Sequence, residues 1–270
     1  MHLSIRHATH YRYAEPALRV TQAVRLWPSM CTSQHVIFWQ VDVEGRRLPA
    51  STGDGFGNRV ATHTADGPVS GIRIDVRGEV ETRDTQGILD AGPESLPAEY
   101  FMYATPLTHV DASIRNLAAA TPVADGDVAR LHGLCNLVRD RLDYVPGQTH
   151  AQTTASQALA HGAGVCQDHA HLLIAAARAL EYPARYVSGY LCAGVDGGDA
   201  ASHAWAEIHV RDIGWIGFDA ANRICPDEHY VRLACGRDYH DAAPVRGVHQ
   251  GGVEETLEVS VHIVRKQGQQ

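Results

Sequence analysis

The chain has 270 residues, 44% of them hydrophobic and 20% charged, which suffices for one large or two modest cores. Its formal net charge is −8 without any long block of like charge, so nothing supports a nucleic-acid-binding face. The initial stretch MHLSIRHATHYRY lacks the apolar core of a secretory signal, and no apolar run reaches membrane-spanning length. Unless a leader precedes this sequence, we expect a cytoplasmic protein that binds neither nucleic acid nor membrane.

The first 80 or so residues predict an antiparallel β structure, because their apolar residues recur every second position. The three runs are Leu18, Val20, Val24 and Leu26, then Ile37, Trp39, Val41 and Val43, then Ile72, Ile74, Val76 and Val80. The segment GDGFGN at 53–58 is interpreted as a connection between strands rather than a binding loop, with its glycines and Asn58 at positive φ. Glycines and prolines between 87 and 97 then interrupt the pattern. We place a domain boundary near residue 95, which divides the chain into 1–95 and 96–270.

After this boundary the apolar spacing becomes helical. A helix whose start is signalled by Asp125 contains Val128, Leu131, Cys135, Val138 and Leu142. Thr154 and Gln157 have the spacing of a capping box and predict a short helix over 155–161. Another helix begins near Cys166 and ends before Pro183, and strands follow near 185–192, 203–210, 214–219 and 257–263. The predicted fold class is α+β, with helices packed on an antiparallel sheet in the second domain.

Cys166 is the first candidate for chemistry, because it lies where the loop HGAGVCQDHAH becomes the apolar run LLIAAARAL. Unpaired N–H groups and the dipole at a helix N-terminus favour a thiolate over a thiol. The chain has six cysteines, none in a CxxC pair: Cys31, Cys135, Cys166, Cys192, Cys225 and Cys235. In a reducing compartment we expect all of them except Cys166 to be mostly buried thiols without disulfides.

His203 and Asp219 are the predicted partners of this thiol. The run HAWAEIHV from 203 alternates polar and apolar residues as a half-buried strand does, and GWIGFD follows a turn at Arg211 and Asp212. Antiparallel pairing around position 211 sets His203 opposite Asp219 and Gly217 opposite Trp205. In such an arrangement Cys166 attacks a carbonyl, His203 transfers the proton, and Asp219 orients the imidazole.

These residues resemble the bacterial transglutaminase-like proteins, a branch of the papain-like superfamily of cysteine acyltransferases and proteases. The segments that carry the resemblance are GVCQDHAHLLIAAARALEYPARYVSGYL from Gly164, SHAWAEIHV from Ser202, GWIGFDAAN from Gly214 and ACGRDYHDAAPVRG from Ala234, together with YRYAEP, VRLWPS and GDGFGN near the N-terminus. The resemblance covers nearly the whole chain and implies Cys166 as nucleophile, His203 as base and Asp219 as the orienting acid. Many relatives have proline after this aspartate, whereas Ala220 stands here, which puts only the following turn in doubt.

Several neighbours of the predicted triad have open roles. Cys166, His169 and His203 have the residue types of a three-ligand zinc site, although packing roles for His169 and His171 are favoured. Asp168 is expected to bind the local backbone. The second oxyanion donor beside the Cys166 N–H is open among Gln148, Thr149 and Gln152. Trp205 and Tyr190 are expected to wall the cleft, and Asp238 and Tyr239 to have structural hydrogen-bonding roles.

We therefore predict an enzyme that forms a thioester at Cys166 and hydrolyses a polypeptide or small amide substrate without a metal or cofactor. Two alternatives stay open: transfer of the acyl group to an amine, which cross-links proteins, and a non-catalytic binding protein that retains the fold. The sequence does not determine the oligomeric state.

Overall fold

A computed structural model describes residues 1–90, 92, 95–192, 200–251 and 254–266, without the side chains of 200 and 201. The strands in chain order are β1 (His2–Val24), β2 (Gln34–Val43), β3 (Arg46–Arg47), β4 (Thr52–Gly53), β5 (Arg59–Thr82), β6 (Ile88–Leu89), β7 (Asp143–Tyr144), β8 (Ala163–Gly164), β9 (Ala184–Cys192), β10 (Ala200–Val210), β11 (Gly214–Phe218), β12 (Tyr230–Gly236), β13 (Val245–Gly251) and β14 (Glu255–Arg265). The helices are α1 (Ala112–Ala119), α2 (Asp127–Arg141), α3 (Ala155–His161), α4 (Cys166–Ala179) and α5 (Tyr239–Ala242), with 3-10 turns at Ala98–Met102 and Pro106–Thr108. The predicted α+β class is confirmed.

The first sheet is built around the long antiparallel pair β1 and β5, whose register runs from His2 opposite Glu81 to Val24 opposite Ala61. On the other edge of β1, β14 pairs with its first half and β13 with its second half. The end of the chain therefore returns to the sheet formed by its beginning. The boundary near residue 95 stays a prediction, but part of the range 96–270 lies in the first sheet.

The two-residue period holds through most of the first sheet and fails at two positions. Val20 and Val24 are buried, whereas Leu18 is 63% exposed and Ile37 is 48% exposed. A bulge interrupts β1 next to Leu18, and another interrupts β2 next to Ile37. Each bulge inserts an extra residue and so reverses which side chains face the core.

The loop before β5 joins the first sheet to the second. Gly57 has the predicted positive φ, at 80°, but Gly53, Gly55 and Asn58 do not, so the prediction was wrong for these three residues. The Asn58 side chain is instead buried, donating to the Cys235 carbonyl at 2.7 Å and accepting from the Cys235 N–H at 2.8 Å. Asn58 is thus needed for its side-chain amide rather than for its backbone conformation.

The second sheet has the antiparallel order β12-β9-β10-β11-β6, and α4 packs against β9 and β10. Helix α4 is buried from Asp168 to Arg178, and α1, α2 and α3 pack around it. The predicted capping box of α3 is present, because Thr154 and Gln157 bond each other's backbone N–H groups. Helix α2 starts after Gly126, at φ 89°, rather than at a cap formed by Asp125.

Residues of both sheets pack together in one apolar cluster. Tyr190, Cys192, Val231 and Leu233 of β9 and β12 are buried among the residues of the first sheet. The Tyr190 hydroxyl also lies 2.7 Å from Nδ1 of His7 in β1. This shared packing holds β1 and β14 at a fixed position beside the second sheet. Among the described helices, none has the length and apolar content needed to cross a membrane.

Candidate active site

Cys166 is the first residue of α4 and is half-buried, as the sequence predicts. The Asp168 carboxylate fixes this helix start, because its Oδ2 accepts from the Val165 N–H at 2.8 Å and from the Thr149 hydroxyl at 2.7 Å. A Cβ at Gly164 would lie 2.6 Å from that same oxygen, so only glycine lets Asp168 approach. The predicted backbone role of Asp168 is confirmed, and the Thr149 hydroxyl is already engaged.

His203 lies on β10 with its ring between Asp219 and Cys166. Its Nε2 is 2.6 Å from Asp219 Oδ2, and the imidazole also interacts with the Cys166 thiol. Because Nε2 faces the carboxylate, Nδ1 is the nitrogen left for the sulfur. The three predicted residues are therefore brought together in the order thiol, imidazole, carboxylate.

The electrostatics of the pair favour a protonated imidazole beside an ionised carboxylate. Burial alone would lower the pKa of His203, but hydrogen bonds and negative charge from Asp219 and Cys166 raise it to about 10. Burial would raise the pKa of Asp219, yet the hydrogen bond and positive charge of His203 hold it below its ordinary value. The site therefore sets a positively charged imidazole beside the sulfur of Cys166.

The strand pairing differs from the predicted register by two residues. The turn comprises residues 211–213, with Asp212 at φ 66°, so that Val210 pairs with Gly214 and Glu207 with Gly217. Gly217 therefore does not face Trp205. The glycine that accommodates this indole is Gly189 on β9, where a Cβ would lie 2.6 Å from the ring. Asp219 keeps the correct face because a shift of two residues preserves side-chain parity.

Asp219 is held by two further residues that the sequence analysis missed. Its Oδ2 accepts hydrogen bonds from the Tyr230 hydroxyl and from the Asn222 side-chain amide, each at 2.7 Å. Asn222 closes a turn bounded by the bridge between Asp219 and Ile224. The spacing of Asn222 three residues after Asp219 was a usable turn signal. Ala220, which departs from the family pattern, is buried in the core.

Tyr144 is the third missed residue. It pairs with Gly164 between β7 and β8, which places its ring beside the start of α4. Its hydroxyl lies close enough to the thiol and the backbone N–H of Cys166 to interact with both. Burial, followed by the nearby thiol, raises the pKa of Tyr144, so the hydroxyl keeps its proton at neutral pH. Gln148 and Gln152, the other predicted oxyanion donors, have exposed side chains.

A cavity of about 280 Å³ opens beside Cys166 and His203, between the two sheets. Tyr186 and Tyr239 line it, whereas Tyr190 is buried behind it and Trp205 stacks against the His203 ring at 6.5 Å. The prediction that Trp205 and Tyr190 wall the cleft was therefore wrong. Both aromatic residues support the wall from within the core instead.

Residues 115–220, which contain the three predicted site residues, match the transglutaminase-like superfamily. The chain thus has a transglutaminase-like core. Residues 3–81 match the bacterial transglutaminase-like N-terminal region, so both halves predicted by the sequence resemblance are present.

Relatives of this transglutaminase-like chain extend over nearly its whole length. An uncharacterized protein of Mycobacterium leprae is 29% identical over 284 residues, covering 96% of this chain and 97% of its own. An uncharacterized protein of Mycobacterium tuberculosis is 28% identical over 296 residues, covering 98% and 93%. A candidate cysteine protease from Cytophaga hutchinsonii has the same fold, with a TM-score of 0.77 at 24% identity over 100% of this chain and 92% of that one.

His169 and His171 of the transglutaminase-like core have structural contacts. Both ring nitrogens of His169 face backbone carbonyls, those of Val165 at 3.0 Å and Leu142 at 3.1 Å. His171 is buried and accepts from the Tyr239 N–H at 3.1 Å. In the described part of the chain, Cys166, His169 and His203 do not converge as ligands of one ion. The zinc alternative thus lacks the geometry it requires.

Asp238 and Tyr239 lie where α5 meets the cleft. Asp238 is the N-cap of α5, accepting from the N–H groups of His240 and Asp241. Tyr239 lines the cavity with its side chain, while its backbone binds His171. These contacts agree with the predicted structural role of this segment.

Proposed function

We propose that this transglutaminase-like protein is a cysteine-dependent enzyme that transfers acyl groups through a thioester at Cys166, and that it hydrolyses a peptide or amide bond. The observation that carries the proposal is the position of His203, with Asp219 at 2.6 Å from Nε2 and the Cys166 thiol on its other side. Nucleophile, base and orienting carboxylate are the three parts that such catalysis needs.

In the first half-reaction, the Cys166 sulfur attacks the substrate carbonyl carbon and forms a carbon–sulfur bond. Negative charge develops on the carbonyl oxygen, and the Cys166 N–H and Tyr144 O–H are the donors placed to receive it. His203 gives its Nδ1 proton to the leaving nitrogen, the carbon–nitrogen bond breaks, and an amine departs. The product is a thioester with a neutral imidazole.

In the second half-reaction, His203 takes a proton from water as the water oxygen attacks the thioester. The carbon–sulfur bond breaks, a carboxylic acid leaves, and the thiolate and imidazolium are restored. Asp219 accepts from Nε2 throughout, which keeps Nδ1 directed at the reacting atoms.

Hydrolysis is favoured over amine transfer by the lining of the cavity. Among the described residues that line it, none is aspartate or glutamate. An acceptor lysine approaches as an ammonium ion, which an acidic wall would attract and hold. Without such a wall, water is the acceptor that the site admits most readily.

The test is to incubate the protein with a glutamine-containing peptide ester or amide, with and without a labelled primary amine. We expect release of the carboxylic acid with wild type and Cys31→Ala, whose thiol lies outside the site, and no release with Cys166→Ala. Preferential incorporation of the amine would mean that the acyl acceptor is an amine rather than water. Unchanged turnover in Cys166→Ala would overturn the mechanism.

The non-catalytic alternative is tested by alkylation. Iodoacetamide should modify Cys166 faster near neutral pH than the half-buried Cys31, because an imidazolium stands beside it. Equal rates at the two cysteines would favour a binding protein that retains the fold.

A further inference from the structure

The first sheet forms one wall of the cavity that contains Cys166. His7, Thr9 and Tyr11 of β1 line it, and so do Leu257 and Val259 of β14. These residues are neighbours across the sheet, since Leu257 pairs with Tyr11 and Val259 with Thr9. The N-terminal region and the end of the chain thus contribute directly to the surroundings of the nucleophile.

This cavity has no permanently charged wall. Among its described lining residues there is no aspartate, glutamate, lysine or arginine, although the whole chain has 54 such residues, 23 basic and 31 acidic. His7 is buried between Tyr190 and Thr9, which bond its two ring nitrogens at 2.7 and 2.8 Å. Burial lowers the pKa of His7 to about 4, so it is neutral near pH 7. A charged side chain entering here would lose hydration and would meet no charged partner apart from the His203 and Cys166 pair itself.

Two apolar side chains face this space without being covered by the protein. Leu257 is 55% exposed and Val259 46% exposed, and both lie on the same face of β14. Pro244 and Val245 line the cavity as well, next to the start of β13. Exposed apolar residues gathered around a concave surface gain free energy when an apolar ligand displaces water.

We propose that the acyl donor inserts an uncharged, apolar side chain between the two sheets, and that Leu257 and Val259 of β14 select it. This inference rests on the proposed function, because the same substrate carbonyl must reach Cys166. A cavity of about 280 Å³ is small for a ligand site, and its size suits one large side chain with its flanking backbone. The substrate class is therefore a peptide or acylated amino-acid amide with an apolar residue at the acyl side of the bond.

The test uses N-acetylated aminoacyl chloromethyl ketones that carry leucine, phenylalanine, aspartate or lysine side chains. The Cys166 sulfur attacks the chloromethyl carbon, a carbon–sulfur bond forms and chloride leaves, so the labelling rate is measured by intact mass. We expect the leucine and phenylalanine probes to label wild type at least about tenfold faster than the charged probes.

A matched pair of variants locates the selecting surface. Val259→Asp places a carboxylate on the cavity wall, whereas Val248→Asp makes the same change on β13 at a position 73% exposed outside the cavity. Val259→Asp should slow the leucine probe about tenfold and raise the relative rate of the lysine probe, because a carboxylate on the cavity wall attracts an ammonium. Val248→Asp should behave as wild type.

Iodoacetamide has no side chain to place in the pocket. It therefore distinguishes a failure of this inference from a failure of the proposed function. Rapid alkylation of Cys166 by iodoacetamide, combined with equal rates for all four ketones, would overturn the inference and leave the proposed function standing. A Val259→Asp variant that slows iodoacetamide as much as the leucine probe would also contradict a side-chain pocket. Failure of every reagent to label Cys166 faster than Cys31 would overturn the proposed function and the inference with it.

Discussion

Oδ2 of Asp219 lies 2.6 Å from Nε2 of His203 and also accepts hydrogen bonds from the Tyr230 hydroxyl and the Asn222 amide. Three donors thus converge on one buried oxygen. They stabilise the ionised carboxylate, and the carboxylate in turn orients the imidazole toward Cys166. The direction of the His203 ring is therefore determined by residues from β10, β12 and the turn after β11.

Asp219→Asn should change the pH dependence of kcat/KM. The His203 pKa is about 10, so the imidazolium persists at lower pH and is lost as the pH rises through that value. Without the carboxylate, burial dominates and lowers the pKa, so the alkaline limb should move down by at least about two pH units. The measurement is the pH–rate profile with an activated ester.

Asp227→Asn is the matched control for that profile. Asp227 also accepts from a histidine, His229, at 3.0 Å, but this pair is only half-buried. Its profile should follow wild type, and an unmoved alkaline limb in Asp219→Asn would contradict the assigned role of the carboxylate.

Tyr230→Phe should lower kcat about tenfold, because it removes a hydrogen bond to an ionised carboxylate that is worth about 1.5 kcal/mol or more. Tyr182→Phe offers the same chemical change elsewhere, since its hydroxyl donates to Asp127 at 2.6 Å. If both variants lost kcat equally, the Tyr230 effect would be one of general stability. A high substrate concentration should not restore the rate of Tyr230→Phe, because the substitution affects kcat.

Tyr144→Phe should reduce kcat with little change in KM. Its hydroxyl meets the thiol and N–H of Cys166, where the oxyanion forms, and loss of one such donor costs about 100-fold in kcat. Tyr103→Phe, at an exposed tyrosine, is the control. Steady-state kinetics on one ester substrate measures kcat and KM for both variants. A normal kcat in Tyr144→Phe would mean that Tyr144 is not the second oxyanion donor, and Gln148 and Gln152 would again be the candidates.

Glu207→Gln should destabilise the fold by about 3–5 kcal/mol, because it leaves two buried guanidinium groups without their carboxylate. Glu207 bonds Arg185 at 2.6 Å and Arg232 at 2.7 Å, all three residues being buried. Asp66→Asn, in the exposed pair with Arg19, should change the free energy of unfolding by no more than about 1 kcal/mol. Denaturant unfolding measures both, and equal effects would contradict the importance of burial.

The cluster of Glu207, Arg185 and Arg232 also makes the stability of the fold decrease at acid pH. Burial would raise the pKa of Glu207, but Arg232 and Arg185 lower it to about 2. A depressed carboxyl pKa contributes stability above the unfolded value, and this contribution is lost as the pH falls from about 4.5 through 2. Glu207→Gln should therefore flatten the dependence of the unfolding free energy on pH in that window.

The positions of Cys166, His203 and Asp219 could be predicted because local periodicity places each on a defined face or at a helix start. The register could not, since the turn between β10 and β11 comprises residues 211–213 with Asp212 at positive φ, which moves the pairing by two residues. The register of an antiparallel strand pair depends on the geometry of its turn. A residue other than glycine at positive φ, such as Asp212, gives no sequence signal of that geometry.

Tyr230 and Tyr144 escaped prediction for a different reason. Their strands, β12 and β7, have no alternating apolar pattern, since β12 is buried on both faces and β7 has two residues. Their roles depend on tertiary neighbours in other elements, Asp219 for Tyr230 and Cys166 for Tyr144. The return of β14 to β1 is likewise invisible in local patterns, although it builds the cavity wall.

The central claim is an acyl group on Cys166, and pre-steady-state mixing with a p-nitrophenyl ester of an N-acetylated apolar amino acid tests it most directly. Wild type should release a burst of p-nitrophenolate equal to the enzyme concentration, with an acyl mass adduct mapped to Cys166. Cys166→Ala should give neither. A burst that persists in Cys166→Ala, or an adduct on another residue, would contradict the account.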